Sequence, residues 1–418
     1  MTRLALLLLM APLLIGDDVL ELLDGTKVEG EIVLENDKFV RIKVANPSGK
    51  GSSVKTVYKT KIGAITKDGE RRVINGAGAQ VGGSASKTRK EIEDTIDKIG
   101  KTPPDWWDKV KLNYPPSLDL AWPEPAPGGW NNQKNMGQFI WDIINPNPTR
   151  WQEGVKLMSH LMTVNKSDKE VVARSMGSMA RMYHDLLEDW PRAAFWWRQA
   201  VAAGLKNDPS LELAHCYFKM GNKEMAVEIL DKSGTWDGSR HMSVAKQWAD
   251  LGEIDKAIAM AEERAKQTPD IGYLTAGDAC RLAGRYKEAM DYYQKVIDSA
   301  NGQRDIPKNK ERARASLEAV KLFEALDLKK VGAGQYTADS IGYEAAVEVQ
   351  VTVAGGKIVE VKVTKHKEKQ FYSAMTDTPR RIIEKQHVKG VDATANATIT
   401  SEAIINATAK ALSKGLRK

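Results

Sequence analysis

The sequence is poor in the residues that bind metals and form covalent cross-links. Two cysteines, Cys216 and Cys280, and six histidines are spread over 418 residues. No Cys-x-x-Cys-His run is present, which excludes covalent c-type haem, and no cysteine cluster could hold an iron–sulfur centre. Neither a nucleophile–base constellation nor a metal-ligand cluster stands out, so any redox chemistry has to come from another cofactor. Both cysteines fall within helical apolar patterns and read as buried packing residues. A large excess of one charge is also missing. The net charge of +7 becomes +6 without the first sixteen residues, because Arg3 is their one charged side chain. That surplus is modest and spread out.

The opening run MTRLALLLLMAPLLIG has the length of a signal peptide and is too short to span a bilayer comfortably. It reads as an export signal cleaved near Gly16 or, because Leu14 is not small, as an N-terminal anchor that stays attached. The absence of a nearby cysteine argues against a bacterial lipid anchor. The expectation is an exported protein of the periplasm or cell envelope, with no nucleic-acid partner. With 42% hydrophobic and 28% charged residues, the chain has the apolar material for about two to four domains.

Residues 18–75 alternate as about five short strands broken by turn signals such as Asp24-Gly25 and Glu35-Asn36-Asp37. This is enough for a small β-barrel, and it weakly resembles the SH3-like or Sm-like barrels. Residues 76–149 hold a Gly/Ser linker, a short charged helix and a Pro/Trp-rich stretch. The tryptophans of that stretch, Trp106, Trp107, Trp122 and Trp130, are expected to pin an extended segment to the next domain.

Between 150 and 327 the apolar period becomes helical and repeats. Gly221, Gly252 and Gly284 stand 31 and 32 residues apart, and Ala226, Ala257 and Ala289 follow five residues after each. Tyr217, Trp248 and Cys280 precede the glycines by four residues, and Ala214, Ala245 and Gly277 lie three before those. Small residues let paired helices approach, and the glycines turn the chain between them. This resembles the tetratricopeptide repeat family. An earlier copy has Trp190 and Ala193 in phase but Glu188 in place of the turning glycine. The resemblance implies an all-α solenoid able to bind a peptide or protein.

From Gly334 the pattern changes again. Val347, Val349, Val351 and Val353 alternate with polar residues, Gly355-Gly356 turns the chain, and Val359, Val361 and Val363 continue, predicting a hairpin with one buried face. The stretch TDTPRRIIEKQ predicts a helix capped by Thr376 or Asp377, with Pro379 in its first turn. Then VDATANATITSEAIINATAKAL, residues 391–412, runs from a Thr/Ala-rich loop into a helix with the apolar face Ile404, Ile405, Ala409 and Leu412. Thr400 or Ser401 is its expected N-cap and Gly415 its stop. A helix start offers unpaired N–H groups and positive partial charge, a ready phosphate site, with the Thr398 hydroxyl two or three residues upstream.

The run Asp392, Ala393, Thr394, Ala395, Asn396, Ala397, Thr398, Ile399, Thr400, Ser401 resembles the FMN-binding domain family. That family is found in the C subunit of sodium-translocating NADH:quinone oxidoreductase and the G subunit of Rnf complexes. The upstream hairpin and His366-Lys367-Glu368 resemble further parts of it. A dedicated flavin transferase joins the family's FMN through its phosphate to the last Thr of the motif. The resemblance therefore implies Thr398 as a covalent attachment point, with Asp392, Asn396, Ala397, Thr400 and Ser401 around it. Ala395 stands where the family has a hydroxyl residue, and Asn396 where it has Gly. Asn tolerates positive φ, so the turn can survive. Arg380 and Arg381 are candidates for charge-assisted bonds to the phosphate.

The expected protein is multidomain: a small all-β barrel, an all-α tetratricopeptide-like solenoid and a C-terminal α+β FMN-binding domain at 332–418. Its expected role is that of an exported electron carrier, the repeats docking an unidentified redox partner. The alternative is a flavin-free cell-envelope scaffold or adaptor with a degenerate FMN-binding domain.

Overall fold

The structure is a computed structural model that describes residues 18–22, 26–35, 39–45, 51–58, 62–67, 70–73, 87–232, 240–302, 306–369, 373–394 and 396–417. The signal or anchor expected at 1–16, most of the Gly/Ser linker and Ala395 lie outside these residues. The chain divides into two compact units, one ending at Ala77 and the other starting at Gly78.

Among the described residues the first unit has six strands, β1 (Asp18–Leu22), β2 (Lys27–Glu35), β3 (Phe39–Ala45), β4 (Ser52–Tyr58), β5 (Ile62–Lys67) and β6 (Glu70–Val73). They form one antiparallel sheet in the order β4-β3-β2-β1-β5-β6. Alternation drives it: Val40, Ile42 and Val44 are buried while Arg41 and Lys43 face out. The expected barrel is an open sheet instead. Among the described residues β4 and β6 end the order unpaired with each other, and the four residues of β6 offer few ladder bonds for closure.

In the second unit, helix α1 (Arg89–Gly100) starts with a capping box between Thr88 and Glu91 and packs on α5 (Trp190–Ala202). In the tryptophan-rich stretch, Trp106, Trp107 and Trp122 pack against the helical core, whereas Trp130 stays 65% exposed. After the short α2 (Met136–Phe139), paired helices follow: α3 (Trp151–Val164), α4 (Lys169–Arg181) and α5, then α6 (Ser210–Lys219), α7 (Lys223–Lys232), α8 (Arg240–Asp250), α9 (Ile254–Ala265), α10 (Pro269–Leu282), α11 (Tyr286–Asp298) and α12 (Ile306–Ala325). Gly221, Gly252 and Gly284 turn the chain at φ of 99°, 80° and 74°. Glu188 holds the same left-handed conformation at φ 51°, a strained position for a residue with a side chain. Both cysteines are free and buried in the packing.

The C-terminal part is a three-stranded antiparallel sheet, β7 (Gly334–Ile341), β8 (Ala346–Ala354) and β9 (Lys357–Lys365), followed by α13 (Ala374–Lys385) and α14 (Thr398–Lys414). Val347, Val349, Val351 and Val353 are all buried under α14, which packs on β7 and β8. Val359 departs from its expected inward phase. The pairing steps from Thr352↔Glu360 to Val353↔Ile358, so a bulge at Val359 turns it outward and seats Ile358 instead. Helix α13 starts earlier than expected, with Ser373 at its N-cap and Pro379 inside it, because the Asp377 carboxylate is engaged by Arg380 and Arg381 rather than by the helix start. Helix α14 also touches α12, and one hydrophobic core runs from Trp248, Tyr293 and Phe323 through Val349 and Val351 to Ile404 and Ile405.

Candidate functional site

The start of α14 is built by two hydroxyls that point away from it. Thr400 Oγ1 donates to Glu368 Oε2 at 2.6 Å, and Ser401 Oγ accepts from the Thr394 amide at 3.0 Å. Neither side chain can then cap the helix, which starts a turn earlier than expected, with Ala397 as N-cap and no side-chain cap. Thr398 is thus the first helical residue rather than lying upstream of the helix. The Ser401 amide is the first to bond back, to Ala397 O at 2.9 Å. The amides of Thr398, Ile399 and Thr400 have no acceptor within the helix.

The loop before the helix is held from both sides. Asn396 adopts φ 59°, and its Nδ2 donates to Asp185 Oδ1 at 2.7 Å, across to the repeats. Thr394 Oγ1 donates to the buried Asp377 at 3.1 Å. Glu368 accepts from the amides of Tyr343 and Glu344 at 3.0 and 2.8 Å, tying the β7–β8 turn to the first turn of α14.

A cavity of about 450 Å³ opens between this helix start and the repeats. Thr398 lines it from α14, His215 from α6, Lys246 from α8, Arg281 from α10 and Arg312 from α12. The size suits a small-molecule ligand. The Thr398 side chain is half-buried there, and no hydrogen bond ties its hydroxyl among the described residues.

Glu402, one turn after Thr398, meets Arg281 at 3.4 Å and Arg312 at 3.2 Å. Burial opposes its ionised form, but the two guanidinium groups outweigh burial and hold the carboxyl below its ordinary range. Asp278, which accepts from Tyr293 Oη at 2.7 Å, is pushed well above its ordinary range by burial and by Glu402. Two guanidinium groups thus face Glu402 at this end of the cavity, a setting that suits an anion. Arg312 Nε is buried without a hydrogen-bond partner. Buried polar atoms of this kind carry a desolvation cost unless a ligand or water meets them.

Asp392 lies at another part of the same cavity. Lys246 Nζ sits 2.7 Å from Asp392 Oδ1 and also binds Asp250. Burial works against the Asp392 carboxylate, but Lys246, Lys219 and Arg381 together hold it well below the usual range. Burial, followed by the Asp392 charge, pushes Asp250 up to about 6.

Of the residues expected from the sequence, Thr398, Asp392, Asn396, Ala397 and Thr400 line the cavity, and Ser401 supports the loop behind it. Arg380 and Arg381 do not join them. Arg380 is engaged by Asp377 and Glu384, and Arg381 by Asp377 with Asp392 nearby. Sequence reasoning missed Lys246, Arg281 and Arg312, which sit within ordinary repeat helices. Only their tertiary position distinguishes them from solvated charges.

Residues 342–413 match the family model described as FMN-binding domain, and residues 210–238 and 272–302 match that described as tetratricopeptide repeat. Neither a curated protein nor a solved structure matches the chain. The helix start, the cavity and the Asp-to-Ser loop all lie within or against the first of these segments. The chain carries an FMN-binding domain at its C-terminal end and tetratricopeptide repeats before it.

Proposed function

We propose that this chain is an exported FMN protein that passes electrons between partner proteins, its flavin joined by a phosphoester to Thr398 Oγ1. The observation that carries the reading is the untied Thr398 hydroxyl, at the first residue of a helix, in a cavity that also presents Arg281 and Arg312. A phosphate on that hydroxyl would meet the free amides of the first turn and the positive end of the helix dipole. Arg281 and Arg312 would add charge-assisted bonds, and the partnerless Arg312 Nε is one available donor. When bound, FMN supplies the electron transfer, and the chain supplies tether, orientation and shielding from water. Export rests on the first sixteen residues, and the repeats are the natural surface for a redox partner.

The test is optical. The full chain, co-expressed with a flavin transferase, should show the oxidised-flavin absorbance band, bleached by dithionite and restored by ferricyanide. A colourless protein made under those conditions would leave the flavin-free scaffold or adaptor as the reading.

A further inference from the structure

A row of buried acid–base groups leads into the cavity from the repeat side. The chain between α4 and α5 makes a π-helical turn, Met182–Leu186, a local irregularity that often marks functional positions. This turn presents His184 and Asp185. His184 Nδ1 lies 2.6 Å from Asp185 Oδ1, and His184 Nε2 lies 3.0 Å from Nδ1 of His215 on α6. All three side chains are 3–5% exposed. Trp190 meets both imidazoles edge-on, with centroids 5.4 and 5.2 Å away. His184 and His215 line the cavity, and no hydrogen bond meets His215 Nε2 among the described residues.

The bonding order fixes the proton positions. Asp185 Oδ1 also accepts from Asn396 Nδ2. Asp185 Oδ1 accepts the Nδ1–H of His184, leaving His184 Nε2 as the acceptor for the Nδ1–H of His215. His215 Nε2 is then a bare lone pair. The charged groups around His215 are Asp185 on the π-helical turn, Glu212 and Lys219 on α6, Lys246 on α8 and Arg381 on α13. Burial first, then His184, and after it Lys219, Lys246 and Arg381 press the His215 imidazole toward its neutral form.

We propose that His215, His184 and Asp185 form a proton relay that withdraws a proton from a flavin ring bound in the cavity when the ring is reoxidised. The proposal rests on the FMN reading above. Bound as the anionic hydroquinone, the flavin would supply two electrons and one proton on reoxidation, and a one-electron acceptor used twice, such as ferricyanide going to ferrocyanide, would take the electrons. His215 Nε2 takes the proton that the ring nitrogen loses. The Nδ1 proton of His215 passes to His184 Nε2, and the Nδ1 proton of His184 passes to Asp185. The relay ends with one proton on Asp185 and both imidazoles neutral. Asn396, on the motif loop, positions the terminal acceptor.

Two measurements on the full chain test this. In the flavin-free protein, 15N NMR of the histidines should place the His215 proton on Nδ1 and keep that ring neutral below its ordinary pKa near 6.5. A proton on Nε2, or titration as an ordinary exposed imidazole, would overturn the relay whatever the protein binds. In the dithionite-reduced, flavin-loaded protein, stopped-flow mixing with ferricyanide should show His215→Gln and the isosteric Asp185→Asn slowing reoxidation by about 10²-fold per bound flavin. A solvent deuterium isotope effect, and rescue of His215→Gln by added imidazole, should accompany the loss. Unchanged rates in both variants would sink the proposal while leaving the flavin reading intact. A protein that takes up no flavin would sink the redox role even if the NMR arrangement holds.

Discussion

Asp392 and Asp250 share the ammonium of Lys246, yet their environments move them in opposite directions. Asp392 has Arg381 as a further cationic neighbour and is held well below its ordinary range, whereas burial and the charge of Asp392 push Asp250 up to about 6. The sign of the stability effect follows from the proton count. Between about 3.8 and 6 the folded chain holds the Asp250 proton more tightly than the unfolded chain, so stability falls as pH rises through that window. Asp250→Asn removes this dependence. Urea unfolding should show the variant improving relative to wild type by about 1–3 kcal/mol between pH 4 and pH 7. A constant difference across that range would contradict the assignment. Asp392→Asn should behave otherwise, because a group with a depressed pKa adds stability above its unfolded value and loses it as pH falls.

The turns of the repeats depend on backbone freedom that glycine alone supplies without cost. Gly284 sits at φ 74° with open space where a Cβ would stand, so Gly284→Ala pays only the left-handed backbone, about 1–2 kcal/mol. Gly272 fails for a different reason. A Cβ there would lie 2.4 Å from the Ala265 amide and 2.5 Å from Ala261 O, backbone atoms of α9 that cannot rotate away. Gly272→Ala should cost more than Gly284→Ala, about 3 kcal/mol, in denaturant titrations of the two variants. Equal losses would mean that the α9–α10 contact can relax.

These elements were legible in the sequence to the extent that period and turn chemistry carried them. The spacing of Gly221, Gly252 and Gly284 marked the repeats, the valines of β8 marked the hairpin, and Asn396 was recognisable as a residue able to hold positive φ. What one-dimensional pattern could not supply were the long-range events. Thr400 and Ser401 look like caps until Glu368 and Thr394 claim their hydroxyls. The outward Val359 follows from a single bulge, and the cavity cations come from helices more than a hundred residues before Thr398 or, for Arg312, nearly as far. The His184–His215 contact joins residues 31 apart in sequence and carries no local signature.

On the scale of the whole molecule, the repeats contribute a wall of the cavity beside Thr398. Helix α14 is buried nearly all round, on one side against β7 and β8 and on another against α12, and its residues belong to the same core as the repeat helices. An excised fragment of residues 332–418 should therefore lack a cooperative unfolding transition, because Ile404, Ile405 and Ala409 lose part of their cover. A sigmoidal transition with the midpoint of the full chain would show that the domain is self-sufficient.

The central claim is that Thr398 carries the cofactor. Its most direct test is denaturing mass spectrometry of the full chain co-expressed with a flavin transferase, wild type beside Thr398→Ala, Thr400→Ala and Ser401→Ala. The mass increment of one esterified FMN is expected in wild type and in the Thr400 and Ser401 variants, with its loss in Thr398→Ala alone. An increment that survives in Thr398→Ala, or that is absent from wild type, would contradict it.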